Sequence, residues 1–174
     1  MKRAKKYLYL ILLFYPLEAL PQSHIIVSSS IGDGAVIYNT KTGPELAPLY
    51  LDIGVSWLPF YKGDGAIGVR VGAEFRLPNS WDSLDFDQFQ LNFELGLKFL
   101  YRKMIDYSLG AILTSSFIFT PYTASGAGIK LFYVYYIRGG LGILFELNGY
   151  WHYGVDSVIT LGYALGLIID YEYW

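Results

Sequence analysis

The seventeen residues VITLGYALGLIIDYEYW (Val158 to Trp174) decide the fold when they are read two at a time. The odd positions from Ile159 through Leu161, Tyr163, Leu165, Leu167, Ile169 and Tyr171 to Tyr173 are all apolar or aromatic. The even positions, among them Thr160, Gly162, Ala164, Gly166, Asp170 and Glu172, are mostly small or charged. A period of two is a strand, because successive side chains leave on opposite faces. The stretch is far longer than the roughly five or six residues usual in soluble domains. A face of large residues opposite a small and charged one suits a wall between hydrocarbon and a polar interior. It reads as the closing strand of a transmembrane β-barrel.

Composition agrees. The chain has 174 residues, enough for one domain, with 16% charged and 18% aromatic residues, and Tyr alone fills 17 positions. A soluble protein of this size would have too much apolar surface to hide. Nowhere do eighteen apolar residues run together, so no ordinary transmembrane helix is encoded. Apolar-rich without an apolar run is the signature of a barrel, in which interior positions interrupt lipid positions at every second residue.

The N-terminus carries the address. Lys2, Arg3, Lys5 and Lys6 precede an apolar core from Tyr7 to Tyr15, and Pro16 then breaks the helix. This is a secretory signal peptide over residues 1–23, with cleavage expected between 19 and 23 and a barrel domain over 24–174. No cysteine is present, which excludes lipoprotein acylation, disulfides and thiolate metal sites. Removing the leader takes away four basic residues and Glu18, leaving nine basic and fourteen acidic side chains and a net charge near −5. That balance argues against nucleic acid as a partner.

From His24 onward eight segments can be written as strands. The first, roughly Ile25 to Tyr38, carries a Gly32-Asp33-Gly34 interruption. A glycine bulge turning Asp33 inward fits it, with a hairpin as the competing reading. The second presents Leu49, Leu51, Ile53, Val55 and Trp57 on one face and turns at Lys62 to Gly65. The third runs from Ile67 to Leu77. The fourth has the cleanest alternation, Phe89 to Tyr101, and its thirteen residues at the usual rise and tilt span roughly 30 Å, a bilayer's hydrocarbon thickness. Arg102-Lys103 is expected to turn the chain into the fifth, and Gly139-Gly140 to join the sixth to the seventh. Longer connections at Asn39 to Ala47, Pro78 to Asp87 and Pro121 to Gly126 alternate with these tight turns, and Tyr153 to Ser157 leads into the last strand. Long extracellular loops and short periplasmic turns would put both termini in the periplasm. Trp57, Tyr101 and Tyr173 at one end, with Trp151 at the other and Trp174 closing the chain, are expected in aromatic girdles at the membrane interfaces.

Together, the signal peptide, the eight amphipathic strands and the aromatic C-terminus (Tyr171, Tyr173, Trp174) resemble the small bacterial outer-membrane barrels of the OmpA and OmpX type. The resemblance spans the mature chain and rests on pattern. In those proteins the terminal aromatic belongs to the lipid-facing set, whereas here that set ends at Tyr173. The resemblance implies an all-β, eight-stranded antiparallel barrel, monomeric, in the outer membrane. It would contact lipid and lipopolysaccharide and be delivered by the barrel-insertion machinery through its C-terminal strand. No further domain is expected after Trp174, and no cofactor.

An eight-stranded barrel has room inside only for side chains, so interior charges must pair. An ion-pair network centred on Arg70, Glu74, Glu94, Lys98, Lys130 and Glu146 is expected to plug the lumen. Three other clusters have simpler readings. Gly63 to Gly68 matches G-x-G-x-x-G, but a strand follows where a phosphate site needs a helix, so it is a hairpin turn. Asp82, Asp85 and Asp87 could offer carboxylate oxygens to a divalent cation, yet their spacing fits no calcium loop and a solvated loop suffices. His152, Asp156 and Ser157 are similar in kind to the triads of the lipid A palmitoyltransferase and deacylase. The deacylase's His-x-Ser spacing is missing, since Gly154 stands two residues after His152, and interfacial loop residues are the simpler reading. Function therefore divides three ways: a structural or surface-interaction barrel, an enzyme modifying lipid A, or a narrow channel for small solutes.

Overall fold

The structure, a computed structural model, describes residues 24–38, 45–76, 90–104, 107–120, 124–138, 140–153 and 158–172. Eight strands appear in sequence order: β1 (His24–Tyr38), β2 (Glu45–Lys62), β3 (Gly65–Arg76), β4 (Gln90–Met104), β5 (Tyr107–Thr120), β6 (Ala124–Arg138), β7 (Leu141–Tyr153) and β8 (Val158–Glu172). Each pairs antiparallel with its neighbour in sequence, and β8 returns to β1 to close the barrel. The closing seam runs without a register shift from His24 opposite Glu172 to Tyr38 opposite Val158. The expected signal peptide and most of the expected long loops lie outside the described residues.

Alternation sorts the side chains as the sequence pattern requires. Phe93, Leu95 and Phe145 are about half exposed (45%, 59% and 50%), while Glu94 and Lys98, on the opposite face of β4, are 2% exposed. A soluble fold does the reverse. The outer wall is therefore built for hydrocarbon and the inner one for charge.

The departures from strict alternation are local and have causes. Trp57 pairs with Val69 but Phe60 pairs with Ile67, so Leu58 and Pro59 together oppose Gly68 and both turn inward. Proline has no amide to give a ladder and settles at bulges. A Cβ on Gly68 would run into the Trp57 carbonyl, so the bulge requires glycine opposite it. A second shift lies between Gly32 and Gly34 on β1, where Asp33 faces the two-residue step containing Pro48.

Three expectations need correction. β1 is one continuous strand, which removes the hairpin reading, and Asp33 is not carried into the interior. It lies opposite Tyr163 of the outer face, half-buried, with its carboxylate accepting the Gly34 amide at 2.7 Å. Arg102 and Lys103 do not turn the chain. They belong to β4 and form a bulge opposite Ser108, so the strand continues to Met104. Glu45 to Ala47 and Ala124 to Gly126, expected in loops, belong to β2 and β6. The two glycine turns hold, with Gly63 at φ 60° and Gly140 at φ 79°, the left-handed backbone that tight hairpins demand.

A charge placed on the outer wall tests this assignment of faces. Leu95→Arg sits near the middle of β4 and should lower the unfolding free energy in lipid vesicles by about 2–4 kcal/mol. Denaturant titration would measure it; an unchanged midpoint would contradict a lipid-facing Leu95.

Candidate functional site

The interior is organised around Arg70 of β3. Its guanidinium reaches across to Asp52 of β2 (Nη2 to Oδ1, 2.5 Å) and to Glu94 of β4 (Nη1 to Oε2, 2.5 Å). Glycines on either side make this possible, since a Cβ on Gly54 or Gly72 would overlap the guanidinium. Lys130 of β6 completes the cluster from the opposite wall. Its ammonium donates to Asp52 Oδ2, lies 2.9 Å from Glu94 Oε2 and 3.7 Å from Glu146 Oε1. The Tyr150 hydroxyl donates to the remaining Glu94 oxygen. Strands β2, β3, β4, β6 and β7 are thus tied through one buried cluster.

Four of the six residues expected at the centre, Arg70, Glu94, Lys130 and Glu146, come together there. Asp52, not among those six, proves to be the shared acceptor between the two cations. Glu74 is one step toward the loop end and pairs with Arg76 (2.7 Å), whose guanidinium also lies over the Tyr50 ring. Lys98 stands apart. Its ammonium lies over the Phe132 ring, 4.8 Å from the centroid, with the Ser56 hydroxyl at 3.4 Å. Among the described residues five acids (Asp52, Glu74, Glu94, Glu146, Asp170) and five bases (Arg70, Arg76, Lys98, Lys130, Arg102) face inward.

Beneath the charges, toward the tight-turn end, the interior becomes apolar. Ile26, Leu58, Ala66, Leu100, Ile112, Val134, Leu144 and Ile168 form one buried cluster with Phe132 and Tyr136, and every strand contributes to it. Below this ring a small polar group closes the end. His24 Nδ1 lies 3.1 Å from Asp170 Oδ1, Tyr136 donates to Asp170 at 3.5 Å, and Arg102 lies 3.8 Å from Asp170 and over the Tyr136 ring. The apolar ring was absent from the sequence reading, though runs such as Phe99-Leu100-Tyr101, Leu131 to Ile137 and Leu167-Ile168-Ile169 show the signal: both faces turn apolar at one end of the strands.

The remaining sequence candidates separate. His152 faces inward near the loop end, with its Nε2 2.8 Å from the hydroxyl of Ser116 on β5. A histidine and serine at that distance could exchange a proton. Both are sealed at 1% exposure or less, however, and no hydrogen-bond partner orients His152 Nδ1 among the described residues. Asp156 and Ser157 lie outside the described residues, as do Asp82, Asp85 and Asp87. Asp52, Glu74 and Glu94 bring carboxylate oxygens within 4.8 Å of one another, the spacing a cation could bridge. Lys130 already holds that place, with its ammonium against Asp52 and Glu94. Of the girdle candidates, Trp57 and Tyr101 are exposed on the outer face toward the turn end and Trp151 toward the loop end. Tyr173 and Trp174 lie outside the described residues.

A closed ring of eight antiparallel strands, apolar without and charged within, is the fold of the small outer-membrane β-barrels. Among solved structures the chain is similar to Neisserial surface protein A, at 12% identity over 84% of this chain and 97% of that one, with a TM-score of 0.54. It is also similar to Ail, the attachment invasion locus protein of Yersinia pestis (9% identity, 86% and 99%, TM-score 0.56). The N-terminal β-barrel domain of Pseudomonas aeruginosa OprF shares the fold as well (9%, 83% and 97%, TM-score 0.52). No protein-family model matches the chain, and no curated protein matches it. At such identities the likeness is one of architecture.

The cluster predicts its own sensitivity. Arg70→Met leaves Asp52 and Glu94 sharing one cation deep inside the barrel, where breaking a buried pair costs about 3–5 kcal/mol. Heat-dependent gel mobility should show a lower unfolding temperature, and adding Asp52→Asn and Glu94→Gln should recover much of the loss.

Proposed function

We propose that the mature chain, freed of residues 1–23, is a monomeric barrel of the bacterial outer membrane. Its lumen is closed by its own side chains, and it serves a structural or surface-interaction role in the envelope. The observation that carries this reading is the inversion of faces: exposed Phe93, Leu95 and Phe145 outside, and the paired Arg70, Asp52, Glu94 and Lys130 inside. A wall of that kind is stable only in lipid, and an interior so filled has no open passage. The architecture shared with the Neisseria, Yersinia and Pseudomonas barrels supports the outer membrane as its place.

In this reading the tight turns at Gly63-Asp64 and Gly140 face the periplasm, with both termini beside them, and the long connections face outward. Trp57, Tyr101 and Trp151 anchor the two interfaces, joined by Tyr173 and Trp174. The outer wall meets phospholipid and lipopolysaccharide, and β8 is the strand presented to the insertion machinery. Recognition of any partner falls to the segments that join the strands at that end, 39–44, 77–89, 121–123 and 154–157, since the wall is committed to lipid. They are short, which suits local contacts rather than a broad adhesive surface.

Two measurements test the proposal together. Purified protein in planar bilayers should give no steady conductance, and deletion of the gene should leave the mass spectrum of lipid A unchanged while altering envelope sensitivity. A lipid A species that disappears on deletion and again in a His152→Ala strain would replace this reading with an enzymatic one.

A further inference from the structure

Polar atoms in the lumen are satisfied very unevenly along its length. On the loop side of the apolar ring, Glu74 Oε2, both polar atoms of the Asn92 side chain, Thr114 Oγ1, Asn148 Oδ1, His152 Nδ1 and Thr160 Oγ1 are buried with no protein partner among the described residues. They come from β3, β4, β5, β7 and β8, so they are spread over five of the eight strands. On the turn side the pattern reverses. Ser108, Tyr136, Asp170 and His24 bond to one another, and none of them is in the unpartnered set.

Buried polar atoms that the protein leaves unpartnered are met by water, each molecule needing two to four polar neighbours. The surplus here is mainly of acceptor oxygens, which water, carrying two donors, is suited to fill. The ring below offers water nothing. Its side chains are apolar except for the Tyr136 hydroxyl, which is taken up by Ser108 and Asp170, and each of the eight strands contributes one or more. An apolar constriction stops ions by excluding water from a short length of path, with no charge needed to repel them.

We infer that the lumen is a one-ended vestibule: water enters from the loop end and reaches the Arg70, Asp52, Glu94 and Lys130 cluster. The apolar ring, not the ion pairs, is the seal against ions. This deepens the closed-barrel reading and rests on it. The ion pairs hold strands together; the ring keeps the two sides of the membrane apart.

The absence of cysteine allows a direct test, because any introduced thiol is the only one present. Thr114→Cys places a thiol in the vestibule and Val134→Cys places one in the ring, on the adjacent strand. Silver ion, small enough for a narrow lumen, should modify the first about a hundredfold faster than the second, read as protection from maleimide after unfolding. Equal rates, or a silent Thr114→Cys, would overturn the vestibule. Conductance then locates the seal. Leu100 on β4 and Ile168 on β8 lie half the barrel's circumference apart. Leu100→Thr with Ile168→Thr should raise single-channel activity about tenfold or more over the unmodified chain, while Lys130→Gln stays closed. The heat-dependent gel shift of a folded barrel is the control, and Ile168→Thr alone is read if the double variant fails it. Activity in Lys130→Gln with a silent ring variant would give the seal to the ion pairs and end this proposal. Steady current through the unmodified chain would instead remove the closed-barrel reading beneath it.

Discussion

Hydrocarbon cannot hydrogen-bond to a peptide, and each amide or carbonyl left open to it costs several kcal/mol. The whole structure depends on meeting that demand at the one place where chain continuity gives no help, the seam between β1 and β8. The ladder there is unbroken over fifteen paired residues from His24 to Tyr38. Register shifts occur instead in four of the hairpin ladders, where a turn already holds the two strands together. The His24 and Asp170 side chains bridge the same seam from within at the turn end. Closure then dictates the rest: a fixed number of strands, a narrow bore, and one face for lipid.

A narrow bore makes volume as strict a constraint as charge. Large interior side chains lie against glycines: Arg70 against Gly54 of β2 and Gly72 of its own strand, Phe132 against Gly110 of β5, and Tyr150 against Gly128 of β6. Small opposite large is how a barrel of this size fills itself without voids. Charges packed so closely are neutralised chiefly by one another, and the cluster works because two cations and three carboxylates share contacts instead of forming separate pairs. Where the charges stop, apolar side chains take over the same volume. The interior is thus layered along its axis: polar and partly unsatisfied, then dry, then polar again.

Strand number, the order of strands and the division of faces were legible because all three follow from a period of two. Phe93 and Glu94 could not be exchanged without inverting the entire fourth strand. Strand ends were less legible. Arg102 and Lys103 look like a turn by composition, but a bulge can absorb two charged residues near a membrane surface and let the ladder continue. Pro59 could not have told a bulge from a turn, since both suit a residue without an amide. Apart from Arg102, the inward charges were visible as even positions; their pairing was not. Which carboxylate meets Arg70 depends on how neighbouring strands are staggered around the barrel, and alternation along one strand says nothing about stagger. The contact between His152 and Ser116 was hidden for the same reason, whereas Asp156 and Ser157 stand near His152 in sequence.

The ammonium of Lys130 stands among Asp52, Glu94 and Glu146 where another protein would recruit an ion from its surroundings. Being part of β6, it arrives with the strand, in a stoichiometry of one, and cannot be diluted away. A chelator has nothing to remove from this cluster. Its integrity is therefore indifferent to the supply of divalent ions outside the cell, in a membrane whose outer leaflet depends on them.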